Sequence, residues 1–134
     1  FMMTLEQGVV LVWHAFDDMV GGEIYVRKIP SMVITDIASA VLPDRAQKTI
    51  GIRPGEKLHE QMIGAEDADH TYEYADHFKI IPAIHNWSKD PVRIKDGKKV
   101  PEGFNYSSDN NAEWMNPDEL SAWIQANADK IGKF

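Results

Sequence analysis

The sequence predicts an α/β fold, in which short strands alternate with helices. Three observations carry this. Val9, Val12, Trp13, Phe16 and Val20 recur at spacings of three and four, a helical face. Directly after them, Glu23-Ile24-Tyr25-Val26-Arg27-Lys28 alternates polar and apolar side chains, the period of a strand. The order helix, strand, helix then continues beyond Pro30, without an internal repeat.

Each element has its own local warrant. Thr4 and Gln7 form a capping-box pattern that opens the first helix. Gly21-Gly22 ends that helix, while Asp17 and Asp18 sit near its end, where the helix dipole disfavours carboxylates. Met32-Val33-Ile34 reads as extended, and Thr35 as the N-cap of a helix over residues 36–41. Lys48-Thr49-Ile50-Gly51-Ile52 reads as a buried strand, Arg53-Pro54-Gly55-Glu56 as a turn, and 56–63 as a helix. Glu66 to Asp69 is a solvated turn or a short helix start. Tyr72–Tyr74 and His77–Ile81 are strand pieces, and residues 83–103 form a long polar loop. Tyr106 to Asn111 is a compact polar turn, and Asn116-Pro117-Asp118-Glu119 opens a last helix with proline in its first turn.

Composition bounds the function. The 134 residues are 43% hydrophobic, enough for one packed domain. Fourteen basic against 21 acidic residues leave a net charge of −7, which gives no field favouring nucleic acid or an anionic membrane. Residues 88–99 are locally basic but lack aromatics for base stacking, and read as a solvated loop. No apolar run is long enough to span a bilayer, and no secretion leader precedes the first helix, so the expected location is the cytoplasm. On the same ground the Asn-X-Ser matches at Asn86 and Asn105 read as chance. There is no cysteine, which excludes disulfides, thiolate metal sites and cysteine nucleophiles. Phe1, where an initiator methionine would stand, reads as a chain entered in the middle.

The stretch with most chemical content is Gly51-Ile52-Arg53-Pro54-Gly55-Glu56-Lys57-Leu58-His59-Glu60. An arginine at such a turn offers a planar fork of donors to phosphate oxygens. Gly55 permits close approach, a following helix start would add positive field, and Glu56 can accept from ribose hydroxyls. An ordinary turn with Arg53 on the surface accounts for the same residues. His59-Glu60-Gln61-Met62-Ile63 has isoleucine where a zinc site needs its second histidine. His14, His59, His70, His77 and His85 show no ligand spacing, and Glu66, Asp67 and Asp69 lack the frame of a calcium loop, so no metal is expected. Trp13, Trp114 and Trp123 read as packing residues, and Trp87 stands in a polar loop. The Tyr106–Asn111 turn reads either as self-satisfied by its Ser and Asn side chains or as a lid or subunit contact.

Five blocks in order resemble one family: Phe1-Met2-Met3-Thr4-Leu5, Gly21-Gly22-Glu23-Ile24-Tyr25-Val26, Lys28-Ile29-Pro30-Ser31-Met32, Gly51 to Glu60, and Tyr106-Ser107-Ser108-Asp109-Asn110-Asn111. The chain is similar to the carboxy-terminal part of the inverting UDP-N-acetylglucosamine 4,6-dehydratases, extended short-chain dehydrogenase/reductases of flagellin-sugar and capsule biosynthesis. The likeness runs from Phe1 to about Leu120. It implies a small, α+β-like substrate-binding lobe over residues 1–134, lacking an amino-terminal Rossmann domain that would bind NADP and carry the catalytic Tyr and Lys. The whole enzyme would oxidise C4 of the sugar, lose water across C5–C6 and return hydride at C6. By the same resemblance Arg53 would hold the diphosphate of the UDP-sugar, Glu56 the ribose, and the enzyme would be a homo-oligomer.

The departures bear on activity. No Gly-X-X-Gly-X-X-Gly fingerprint occurs, and Tyr25, Tyr72, Tyr74 and Tyr106 are followed four residues on by Ile, Asp, Phe and Asn, never Lys. No catalytic residue is therefore assigned, and this chain alone is expected to bind no cofactor and to be inactive. Two alternatives stand: a free-standing module that binds a nucleotide-sugar or a protein, and a UDP-sugar 4-epimerase of the same superfamily. An isolated lobe is also expected to expose the surface that packs on the Rossmann domain, and so to self-associate or be marginally stable.

Overall fold

A computed structural model describes residues 1–84 and 89–131; His85, Trp87 and the Asn86-Trp87-Ser88 match lie outside the described residues. Short strands and helices alternate as expected, and every strand pairing in the two sheets is antiparallel. The contacts group into two units, one of Met3–Lys28 with Gln61–Ser107, the other of Phe1–Met2, Ile29–Glu60 and Ser108–Phe134.

The first of these begins with helix α1 (Leu5–Asp18), whose capping box forms as the sequence dictates. Thr4 Oγ1 accepts from Gln7 N at 3.2 Å, and Gln7 Oε1 accepts from Thr4 N at 2.8 Å. Strands β1 (Ile24–Arg27), β3 (Thr71–Glu73), β4 (His77–Ile80) and β5 (Lys98–Lys99) make one sheet in the order β1-β4-β3-β5. Strands β2 (Gln61–Ile63) and β6 (Tyr106–Ser107) make a second, two-stranded sheet. A 3₁₀ turn over Ala65–His70 and helix α3 (Pro91–Ile94) complete the unit. The described part of 83–103 thus holds α3 and β5.

Strand alternation sorts the side chains of the larger sheet. Val26 lies opposite Phe78 in the register, and both are buried; the Phe78 ring meets Phe104 at 5.2 Å and Tyr106 at 5.1 Å. The neighbouring pairs, Tyr25 with Lys79 and Arg27 with His77, point to the other face. There His14 of α1 meets the rings of Tyr25 and His77.

Helix α1 is attached by its polar residues and presents its apolar stripe outward. None of its residues is buried, with Trp13 at 65% and Phe16 at 60% exposure. Trp13 is therefore not a packing residue here, and Trp114 is also exposed, its indole donating to Asn111 O at 2.8 Å. A contiguous apolar face of this kind invites association. The 134-residue polypeptide is expected to self-associate in sedimentation velocity runs, and Trp13→Ser with Phe16→Ser to shift it towards monomer. A sharp monomer for the unaltered chain at every concentration would defeat that expectation.

The other unit contains α2 (Ile34–Val41), α4 (Pro117–Ala126) and α5 (Ala128–Ile131). Helix α4 packs on α2 and buries Leu120 completely. Asn116 caps α4, accepting from Asp118 N and Glu119 N while Glu119 reaches back to Asn116 N. The N-cap of α2 is Val33, without a side-chain bond, where the sequence pointed to Thr35; Ile34 belongs to the helix. Ser31 forms a parallel bridge with Trp114 and is buried.

Residues 42–60 are exposed throughout and form neither the expected strand over 48–52 nor the expected helix over 56–63. Gly51 takes φ +82, which interrupts an extended run, and among the described residues no strand pairs with Ile50 or Ile52. Residues 61–63 are instead recruited by β6. The alternation of Ile50 and Ile52 marks exposed apolar surface, not a core strand.

Candidate functional site

The Arg53-Pro54-Gly55-Glu56 segment closes as a hydrogen-bonded turn, with Glu56 N donating to Arg53 O at 3.1 Å. Proline pre-sets the first central position, and Gly55 at φ +85 supplies the left-handed second one, the requirements of a type II turn. The Glu56 carboxylate folds back on the turn, accepting from Arg53 N at 2.9 Å through Oε2. Arg53 Nε stands 3.9 Å from Glu56 Oε1, and the two side chains are 75% and 50% exposed. This loose pair leaves the guanidinium fork open to an oxyanion.

Arg53 and Glu56, the two predicted site residues, thus belong to one turn. Beside them a cleft of about 370 Å³ is lined by Gly55, Glu56, Lys57 and Glu60. Its size suits a small polar ligand. It offers carboxylate acceptors for hydroxyls, with the Lys57 ammonium and the neighbouring Arg53 as cations. The helix start expected to add positive field after the turn is not formed, because β2 is the next element. Positive charge at this turn comes from side chains alone.

The base of the segment is tied down by the Tyr106–Asn111 stretch. Glu60 N donates to Ser108 Oγ at 3.0 Å, and Ser108 N donates to Glu60 O at 2.8 Å. Asn111 Nδ2 donates to Ile29 O, Glu113 O and Ser31 Oγ at 2.8, 2.9 and 3.2 Å, and its Oδ1 accepts from Glu113 N. Asn111 and Ser108 thus bond through their side chains to residues outside 106–111, which differs from the self-satisfied reading, and Ser108 reaches the candidate segment.

A second polar centre went unread in the sequence. Asp18 Oδ2 accepts from Lys79 Nζ at 2.5 Å and from the Tyr25 hydroxyl at 2.6 Å, while Oδ1 pairs with Lys95. Lys79 is buried, and its ammonium also donates to Arg93 O at 2.8 Å. Burial pushes the Asp18 pKa up, but bonds from Lys79, Lys95 and Tyr25 outweigh it and hold the carboxyl well below the usual range. Burial, then the bond to Asp18, raises Tyr25 far above an ordinary phenol; burial and the Asp18 charge push Tyr74 up to about 12. Both phenols stay neutral at physiological pH.

The rest of this centre is aromatic. Tyr74 stacks on His77 with ring centres 4.6 Å apart, and its hydroxyl donates to Ile94 O at 2.7 Å. His77 Nδ1 donates to Asp76 Oδ1 at 2.9 Å, a bond that lowers the Asp76 pKa. With its lone pairs engaged by two ammoniums and a phenol, Asp18 serves as a brace between α1 and the sheet, not as a base. The signal was in the sequence: carboxylates at a helix C-terminus are disfavoured unless cations meet them. Among the described residues no three His, Cys, Asp or Glu side chains converge as a metal site, and no helix is long and apolar enough to cross a membrane.

The comparisons with known proteins converge. The family model described as polysaccharide biosynthesis protein matches residues 1–82. The chain is 47% identical over 125 residues to a UDP-N-acetylglucosamine 4,6-dehydratase (inverting) of Campylobacter jejuni subsp. jejuni, covering 90% of this chain and 37% of that protein. It is 30% identical to a UDP-glucose 4-epimerase of Rickettsia canadensis, over 82% of this chain and 33% of that one. Among solved structures, Pen from Bacillus thuringiensis superposes with a TM-score of 0.75 at 25% identity, over 95% of this chain and 37% of that chain. The chain therefore spans about a third of the length of these relatives.

Proposed function

The chain belongs to the polysaccharide biosynthesis protein family, and on that premise we propose that it is the UDP-sugar-binding part of a UDP-N-acetylglucosamine 4,6-dehydratase. In this reading Arg53 holds the diphosphate and Glu56 the ribose. The observation that carries it is the type II turn that sets an open guanidinium and a carboxylate beside a cleft of about 370 Å³. High identity to an inverting dehydratase over most of the chain supports the choice of substrate.

In this reading the nicotinamide cofactor of such an enzyme is held elsewhere in the protein. A dinucleotide needs a glycine turn opening a helix. Glycines at positive φ stand at 21, 22, 51, 55 and 103, whereas α1, α2 and α4 open at Thr4, Val33 and Asn116. We assign NADP, and with it the oxidation and reduction steps, to the remaining length of the protein. This chain's part is to bind and orient the UDP-sugar, and alone it is inactive. An enzyme of this kind works in the cytoplasm, where nucleotide-sugars are made.

The test is calorimetric titration of the full-length protein with UDP. Arg53→Ala is expected to weaken binding by about 1.5–3 kcal/mol, the worth of a hydrogen bond to a charged group. Unchanged affinity would remove Arg53 from the site. A 4-epimerase is the second reading, favoured by the likeness to UDP-glucose 4-epimerases. Mass spectrometry of the product separates the two, since a dehydratase removes one water from UDP-N-acetylglucosamine and an epimerase leaves the mass unchanged.

A further inference from the structure

The exposed segment 42–60 has few ties to the rest of its unit. Gln47 Nε2 donates to Thr35 O at 3.0 Å and to Ser39 Oγ at 2.8 Å, which fixes the early part on α2. From Lys48 to His59, the hydrogen bonds among the described residues are those of the Arg53–Glu56 turn itself. The next tie is at Glu60, where Ser108 supplies both partners: its hydroxyl accepts from Glu60 N and its own N–H donates to Glu60 O. Ser108 is itself held in place, because Asn111 of the same turn bonds Ile29, Ser31 and Glu113.

We propose that Ser108 is a positioning residue for the Arg53–Glu56 turn, fixing the end of the binding segment through Glu60 without touching the ligand. The inference rests on the reading of that turn as the UDP site. Mobility of an unbraced segment must be removed when a ligand binds, and that entropy is subtracted from affinity. A tie at Glu60, four residues beyond Glu56, removes part of it beforehand. The serine hydroxyl is the replaceable half of the tie, since the bond from Ser108 N to Glu60 O survives substitution.

The test compares UDP affinity of the full-length protein as wild type, Ser108→Ala, Ser108→Thr, Arg53→Ala and the Arg53→Ala/Ser108→Ala double variant, with amide hydrogen exchange followed at Glu60. Loss of one neutral hydrogen bond predicts that Ser108→Ala weakens UDP binding by about 2- to 13-fold. It also predicts faster exchange at Glu60, and Ser108→Thr, which keeps the hydroxyl, restoring both. In the Arg53→Ala background the Ser108 effect shrinks, because the two residues act through one turn. If Arg53→Ala weakens binding but Ser108→Ala does not, the positioning role fails and the site stands. Should Ser108→Ala act equally in both backgrounds, or lower the melting temperature with no rescue by threonine, its role is structural only and the proposal falls. If Arg53→Ala itself leaves affinity unchanged, the reading of the site fails first.

Discussion

Asp18→Asn is expected to destabilise the fold by about 3–5 kcal/mol, the range for breaking one partner out of a buried ion pair. The cost lies mainly with Lys79, whose side chain is 2% exposed and would lose its carboxylate partner, leaving it the carbonyl of Arg93 and the Tyr25 and Tyr74 rings. Urea denaturation of wild type and variant measures it. Asp18→Asn with Lys79→Met should recover most of the loss, since it removes the stranded charge as well. A change below about 1 kcal/mol for Asp18→Asn would show that the brace carries little.

The same carboxyl sets a pH dependence. Its pKa is lower in the folded protein than in the unfolded chain, so the folded state favours the ionised form. The stabilisation is complete above the unfolded value of about 4 and is lost as pH falls below it towards the folded value. Asp18→Asn should therefore flatten the acid limb of the stability curve as well as lower its plateau.

Leu120→Ala is expected to cost about 2–5 kcal/mol, the transfer term plus the cavity left in a site that is 0% exposed. Leu120 is the buried residue of α4, the helix that packs on α2. Thermal or urea melts of the variant give the magnitude. The contrast is Trp13, a larger side chain whose exposure makes its loss nearly neutral for folding, within about 0.5 kcal/mol. A Leu120→Ala variant as stable as wild type would mean that α4 is held by its caps rather than by its core.

These residues mark what could be read from the sequence. The capping box at Thr4 and the proline-containing helix start at Asn116 are local chemistry, and both appear in the structure where the sequence put them. So do the strands around Tyr25, Tyr72 and Phe78, which pair within one sheet. Periodicity reported the apolar face of α1 correctly but not what it faces, because pattern says nothing about which side is covered. Between Lys48 and Ile63 the pattern failed. Apolar residues there are surface, and Gly51 and Gly55 at positive φ set the path. Arg53 and Glu56 were legible as a turn pair because proline and glycine dictate that turn in any context. The partners of Asp18 were not, since Lys79 and Lys95 lie some sixty and more positions away in sequence. The Ser108–Glu60 tie is equally non-local.

Two carboxylates bonded to cations in one chain answer differently to ionic strength. Counterions screen exposed charges over about 8 Å at physiological salt, and reach enclosed ones far less. Asp18 and Lys79, at 14% and 2% exposure, are shielded by their neighbours, while Glu56 and Arg53 stand at 50% and 75%. Concentrated salt leaves the brace of α1 in force and dissolves the attraction within the turn. On the proposed role of Arg53 it would equally dull the pull on a diphosphate, so the fold would persist in brine that empties the proposed binding turn.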